Sequence, residues 1–149
     1  MPRITVTPGK GLVQKGGSST TNGTLSGHKA VVETLTTSQT LDTADSGKVF
    51  LIATDSLTIT LPATEAGLVY TFINSGADGN NIITISPNAS DAIHGTVTLA
   101  GSVVEFSGSD DADIVNTKAT ANTGDMIQLI ADGSAGWYST MSQGIWANA

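Results

Sequence analysis

The residues best suited to chemistry are the carboxylates of Ser109-Asp110-Asp111-Ala112-Asp113, since several acids on one loop are the donors that a hard cation such as calcium selects. The stretch lacks the sixth-position Gly and the closing Glu of an EF-hand loop. Asp110, Asp111 and Asp113 are therefore a weak metal candidate beside the simpler reading of a solvated acidic loop. His28 and His94 each sit next to a glycine, with no second His or carboxylate at ligand spacing, and so fall short of the donors zinc needs. The chain has no Cys, which removes thiolate metal sites, disulfides and a Cys nucleophile. No Gly-x-Ser-x-Gly elbow is present. Gly9-Lys10-Gly11 and Lys15-Gly16-Gly17 resemble phosphate loops in composition, but neither leads into a helical pattern that would supply anion-binding amides. No catalytic residue and no cofactor is expected, and the chain reads as a non-enzyme.

Trp137, Tyr138 and Trp146 form the second group. Aromatic rings on a β-surface can stack on sugars or anchor an interface. Trp137 and Tyr138 alternate on one strand and so point to opposite faces, which makes at least one of them core filling. Trp146, near the end of the sequence, is expected to be tucked against a neighbouring subunit or hidden in its own sheet.

The elements that must position these groups read as strands. In 149 residues only 39 % are apolar and 13 % charged, and the difference is made up by 17 Gly and by abundant Ser and Thr. Ser56-Leu57-Thr58-Ile59-Thr60-Leu61 alternates cleanly before Pro62, while Val49 to Ala53 and Leu68 to Ile73 are apolar on both faces and read as central strands. Three hairpins are expected: across Ser75 to Asn80, across Ala100-Gly101-Ser102, and across Asp132 to Gly136. About nine such runs, spaced about ten residues apart, predict an all-β body. The expected form is an antiparallel β-sandwich, jelly-roll-like, or a small barrel over residues 31 to 149. No internal repeat is visible, which argues against a solenoid. The longest apolar run, Val49 to Ala53, is too short to cross a membrane, and no secretory leader is evident.

Charge divides the chain. Arg3, Lys10, Lys15 and Lys29 face no acid within residues 1 to 30, which gives +4; thirteen acids against Lys48 and Lys118 give −11 for the remainder, consistent with the total of −7. Residues 1 to 30 are also rich in Gly, Ser and Thr and are expected to form a flexible basic arm. Ile4 and Val6 alternate with polar residues, and Leu12 and Val13 follow. Together with Arg3, Lys10 and Lys15 they could add a strand and positive charge to another protein's sheet edge; the alternative is that they pair with the body of their own subunit. Nucleic-acid binding is disfavoured, because the arm has no aromatic to stack and the body is acidic.

Ser46 to Ile52, Leu57 to Pro62 and Ala66 to Ile73, together with Gly124 to Ile130, Asp132-Gly133 and Gly136-Trp137-Tyr138, resemble a pattern found in small β-rich virion proteins of tailed bacteriophages. The resemblance covers roughly residues 44 to 141. It implies a structural capsid decoration, or cement, protein on the outer capsid surface, commonly a homotrimer, with the major capsid protein as partner and no catalytic motif to inherit. The expected function is stabilisation of the shell, with the arm tying neighbouring capsomers together. The alternative is a β-module of a head fibre or tail that binds a host glycan or receptor through Trp137, Tyr138 or Trp146.

Overall fold

In the computed structural model, which describes residues 29–99 and 102–149, the alternation at residues 57 to 61 becomes a strand with Leu57, Ile59 and Leu61 buried and Thr58 exposed. The chain is all-β. Its strands among the described residues are β1 (Val32–Leu35), β2 (Gln39–Thr40), β3 (Val49–Ile52), β4 (Leu57–Thr60), β5 (Val69–Asn74), β6 (Ile83–Ser86) and β7 (Ala92–His94), followed by β8 (Thr96–Leu99), β9 (Ser102–Glu105), β10 (Ile114–Asn116), β11 (Met126–Ala131), β12 (Gly136–Gln143) and β13 (Trp146–Asn148). They form a six-stranded sheet in the order β1-β3-β5-β11-β12-β7, a five-stranded sheet in the order β13-β10-β6-β4-β2, and the β8-β9 hairpin.

The strands are not antiparallel throughout, as alternation and turn residues had suggested. In the first half the chain places β1, β3 and β5 side by side in one sheet and β2, β4 and β6 in the other, all in parallel. This is a winding path, like the coils of a solenoid, produced without a sequence repeat. Its cause lies in the corners. Between β3 and β4 the backbone turns through Ser56 in the left-handed region (φ 60), and the carboxylate of Asp55 accepts the N–H of Ile82 at 2.9 Å from the next coil. A hairpin turn would return the chain within its own sheet; these corners send it across to the facing one. The loop through Ser75 to Asn80 does the same, joining β5 to β6 in the opposite sheet rather than closing the expected hairpin. The second half is antiparallel where the sequence placed hairpins, in β8 with β9 and in β11 with β12.

The facing sides meet in one core. Phe50, Tyr70, Phe72, Ile127, Leu129 and Trp137 come from the six-stranded sheet, and Ile59, Ile83, Ile85, Ile114 and Trp146 from the other. Phe50 stacks on Phe72 with ring centroids 5.6 Å apart, and Tyr70 lies 5.5 Å from Trp137. The Tyr70 hydroxyl is satisfied by donating to the Asp42 carbonyl at 2.7 Å, and burial, reinforced by the acids Asp45, Asp42 and Glu65, pushes its pKa up to about 12.

At one end of the core a polar network joins the sheets. Asn74 of β5 donates through Nδ2 to Asn116 Oδ1 of β10 (3.1 Å), and its own Oδ1 accepts from the Gly76 N–H (3.0 Å) and Asn81 Nδ2 (3.2 Å). Asn116 Nδ2 donates to Asp125 Oδ2 (2.8 Å) and to the Ile145 carbonyl (2.9 Å). Asp125 also accepts the Asn122 N–H at 2.9 Å. Glycine makes the space: a Cβ at Gly76 would overlap the Asn81 carboxamide, and one at Gly144, where φ is +89, would overlap Asp125. Because Asn116 touches three partners, Asn116→Ala leaves the buried Asp125 carboxylate with the Asn122 N–H but without its side-chain donor, also unpairs Asn74, and is expected to cost about 3 kcal/mol. Urea unfolding measures this; a loss below about 1 kcal/mol would show that the network carries little of the stability.

Candidate interaction surface

Backbone alternation sorts the aromatic candidates. β12 runs antiparallel to β11, with Ala131 opposite Trp137 and Ile130 opposite Tyr138, so Trp137 faces the core with Ala131 and Tyr138 faces outward with Ile130. Trp137 is fully buried, and its Nε1 has no hydrogen-bond partner among the described residues. Its place is therefore held by packing alone. Trp146 is also fully buried, hidden in its own sheet, with Nε1 donating to the Gln143 carbonyl at 3.2 Å. Tyr138 is 45 % exposed and stacks on His94, with ring centroids 4.9 Å apart and planes 21° from parallel. Register brings the pair together, since Tyr138 lies opposite His94 where β12 and β7 run parallel.

Asp110, Asp111 and Asp113 do not converge. Among the described residues no three His or acidic side chains gather in a way that could hold a metal ion. Asp110 instead forms an isolated backbone bridge with Ala92, and Asp111 adopts a left-handed backbone (φ 58). Arg3, Ile4, Val6, Lys10, Leu12, Val13 and Lys15 lie outside the described residues. The chain enters the described body at Lys29, just before β1, an edge strand of the six-stranded sheet.

Tyr138 belongs to a larger surface. On the outer side of the six-stranded sheet, register aligns Val32, Val49, Thr71, Gln128 and Met141 in one row across five strands. Leu51, Ile73 and Met126 form the adjacent row, and Val69, Ile130 and Tyr138 a third. Val32 and Met141 are more than half exposed, at 57 % and 52 %. The sequence did carry a sign of this face, in the runs at Val49 to Ala53 and Leu68 to Ile73 that are apolar on both sides. Those runs read as strands covered on both faces, whereas the described residues cover only one.

The surrounding acids are fixed locally. The N–H groups of Ser134 (2.7 Å) and Gly136 (3.1 Å) donate to Asp132 in the β11-β12 turn and lower its pKa below the ordinary 3.8. Asp132 thus organises the turn that presents Tyr138.

No protein-family model matches this chain, and no curated protein matches its sequence. Within the described residues, the surface best suited to contact is the outer face of the six-stranded sheet together with Tyr138 and His94. Trp137→Ala is expected to lower stability by about 3–5 kcal/mol, and Tyr138→Ala by less than about 1 kcal/mol. Chemical denaturation of the two variants checks this, and equal losses would contradict the assignment of Tyr138 to the surface.

Proposed function

We propose that this chain is a non-catalytic structural protein of a virus particle, of the capsid decoration type, that binds the outer surface of the major capsid protein. The observation that carries the proposal is the division of the chain into a basic arm and an acidic all-β body, which the arm joins at the edge of the six-stranded sheet. Such a protein needs contact area and not a reaction centre. Weak contacts made by an arm and repeated in each copy gain strength by multivalency, because once one copy is seated the next contacts form at high local concentration. Arg3, Lys10 and Lys15 would meet capsid carboxylates, and Ile4 and Val6 would add a strand to a capsid sheet edge. The glycan-binding alternative is weakened by the burial of Trp137 and Trp146, which leaves Tyr138 as the one exposed ring of the three named in that reading.

Deletion of residues 2 to 17 is expected to abolish co-sedimentation of the protein with expanded capsids, while the circular dichroism of the β-body stays unchanged. Stoichiometric binding by the deleted chain would remove the arm's role.

A further inference from the structure

The two outer faces of the sandwich differ in kind. The five-stranded sheet presents Thr40, Thr58, Thr60, Thr84 and Ser86, short hydroxyls suited to water, with Val115 and Ala147 confined to its β10-β13 end. The six-stranded sheet presents the aliphatic rows described above, and among its described strands no Asp, Glu, Lys or Arg stands on that side.

The polar groups at the centre of this face are already paired with one another. Gln128 Nε2 donates to Thr71 Oγ1 at 2.9 Å, and Thr140 Oγ1 donates to Gln128 Oε1 at 2.9 Å. Covering the face would therefore leave these groups satisfied, so the usual penalty for burying amides and hydroxyls is small here. Among the described residues, no comparable side-chain hydrogen bonds join the hydroxyls of the other face, where Ser38 Oγ accepts the Thr58 N–H.

We infer that the outer face of the six-stranded sheet is where a second copy of this chain packs. Charge favours a copy over a foreign protein. The described body has Lys29, Lys48 and Lys118 against all thirteen acids, a net −10, so two copies repel wherever their charged surfaces meet. The uncharged face is where they approach without that cost, and it offers a partner of opposite charge nothing to recognise. Size is also adequate. Six strands about 4.8 Å apart and about 17 Å long give a footprint of roughly 500 Å², so two copies face to face bury about 1,000 Å², the lower bound for a specific interface. The inference stands apart from the proposed function, so a failed capsid-binding test leaves it standing, while a monomeric chain leaves arm-mediated capsid binding untouched.

Sedimentation equilibrium of the full chain tests it. The wild type is expected at a multiple of 15.1 kDa. Met141→Glu and Val49→Glu should each weaken association by roughly 100-fold with unchanged circular dichroism, since each buries a charge at the contact. Thr58→Glu, on the hydroxyl face, should leave the mass unchanged. A wild-type chain that stays at 15.1 kDa at several hundred micromolar overturns the inference. So does wild-type association in both folded face variants, or equal dissociation by Thr58→Glu.

Discussion

The carboxamide of Asn116 holds the two sheets in one frame. It reaches Asn74 of the six-stranded sheet, Asp125 at the start of β11 and the carbonyl of Ile145 just before β13, so three segments far apart in sequence share one side chain. Apolar packing between sheets is tolerant of small slides, because methyl groups make similar contacts in several registers. A hydrogen-bonded amide network is not, since a displaced partner leaves a buried polar atom unpaired at a cost of about 1–3 kcal/mol. The backbone reinforces the lock: the Asn74 N–H donates to the Asp125 carbonyl and the Gly124 N–H to the Asn74 carbonyl, each at 2.8 Å. With that end fixed, β5 and β11 lie side by side, and the aliphatic rows on their outer side fall into register.

Much of the β-architecture was legible in local pattern. Leu57, Ile59 and Leu61 announced a one-sided strand, and the Gly- and Asp-rich turn before Trp137 announced the β11-β12 hairpin. Alternation also separated Trp137 from Tyr138 correctly. Direction of pairing was not legible, because a strand's alternation is the same whether its neighbour runs parallel or antiparallel, and the corners that decide it depend on contacts such as Asp55 with Ile82, 27 positions apart. The coil-like first half was hidden for the same reason: its repeat is one of geometry, with no matching residues at a fixed spacing. The polar network was invisible too. Asn74 and Asn116 are 42 positions apart, and Asn within a short strand reads as an outward residue until its partners are known.

The strands that are apolar on both sides link fold to function. In β3 and β5 the inward residues Phe50, Phe72 and Tyr70 build the core, which accounts for one face. Val49, Leu51, Val69 and Ile73 are not needed there, and hydrophobic side chains kept in contact with water weaken solubility without strengthening the core. The outer face of the opposite sheet is built mainly of Thr and Ser, with Val115 and Ala147 only at its β10-β13 end. The contrast between the two sheets, with the central Gln128 paired to Thr71 and Thr140, describes one surface made for water and one made for contact.

Hydroxyl-radical footprinting across a concentration series tests that division most directly, because it reads the accessibility of individual side chains in the intact protein. Met141, Met126 and Tyr138 should become protected as concentration rises, while Thr58, exposed on the hydroxyl face, keeps its rate. Unchanged oxidation of Met141 and Tyr138 over a range in which the solution mass increases would contradict it, and would place the contact between copies on another surface.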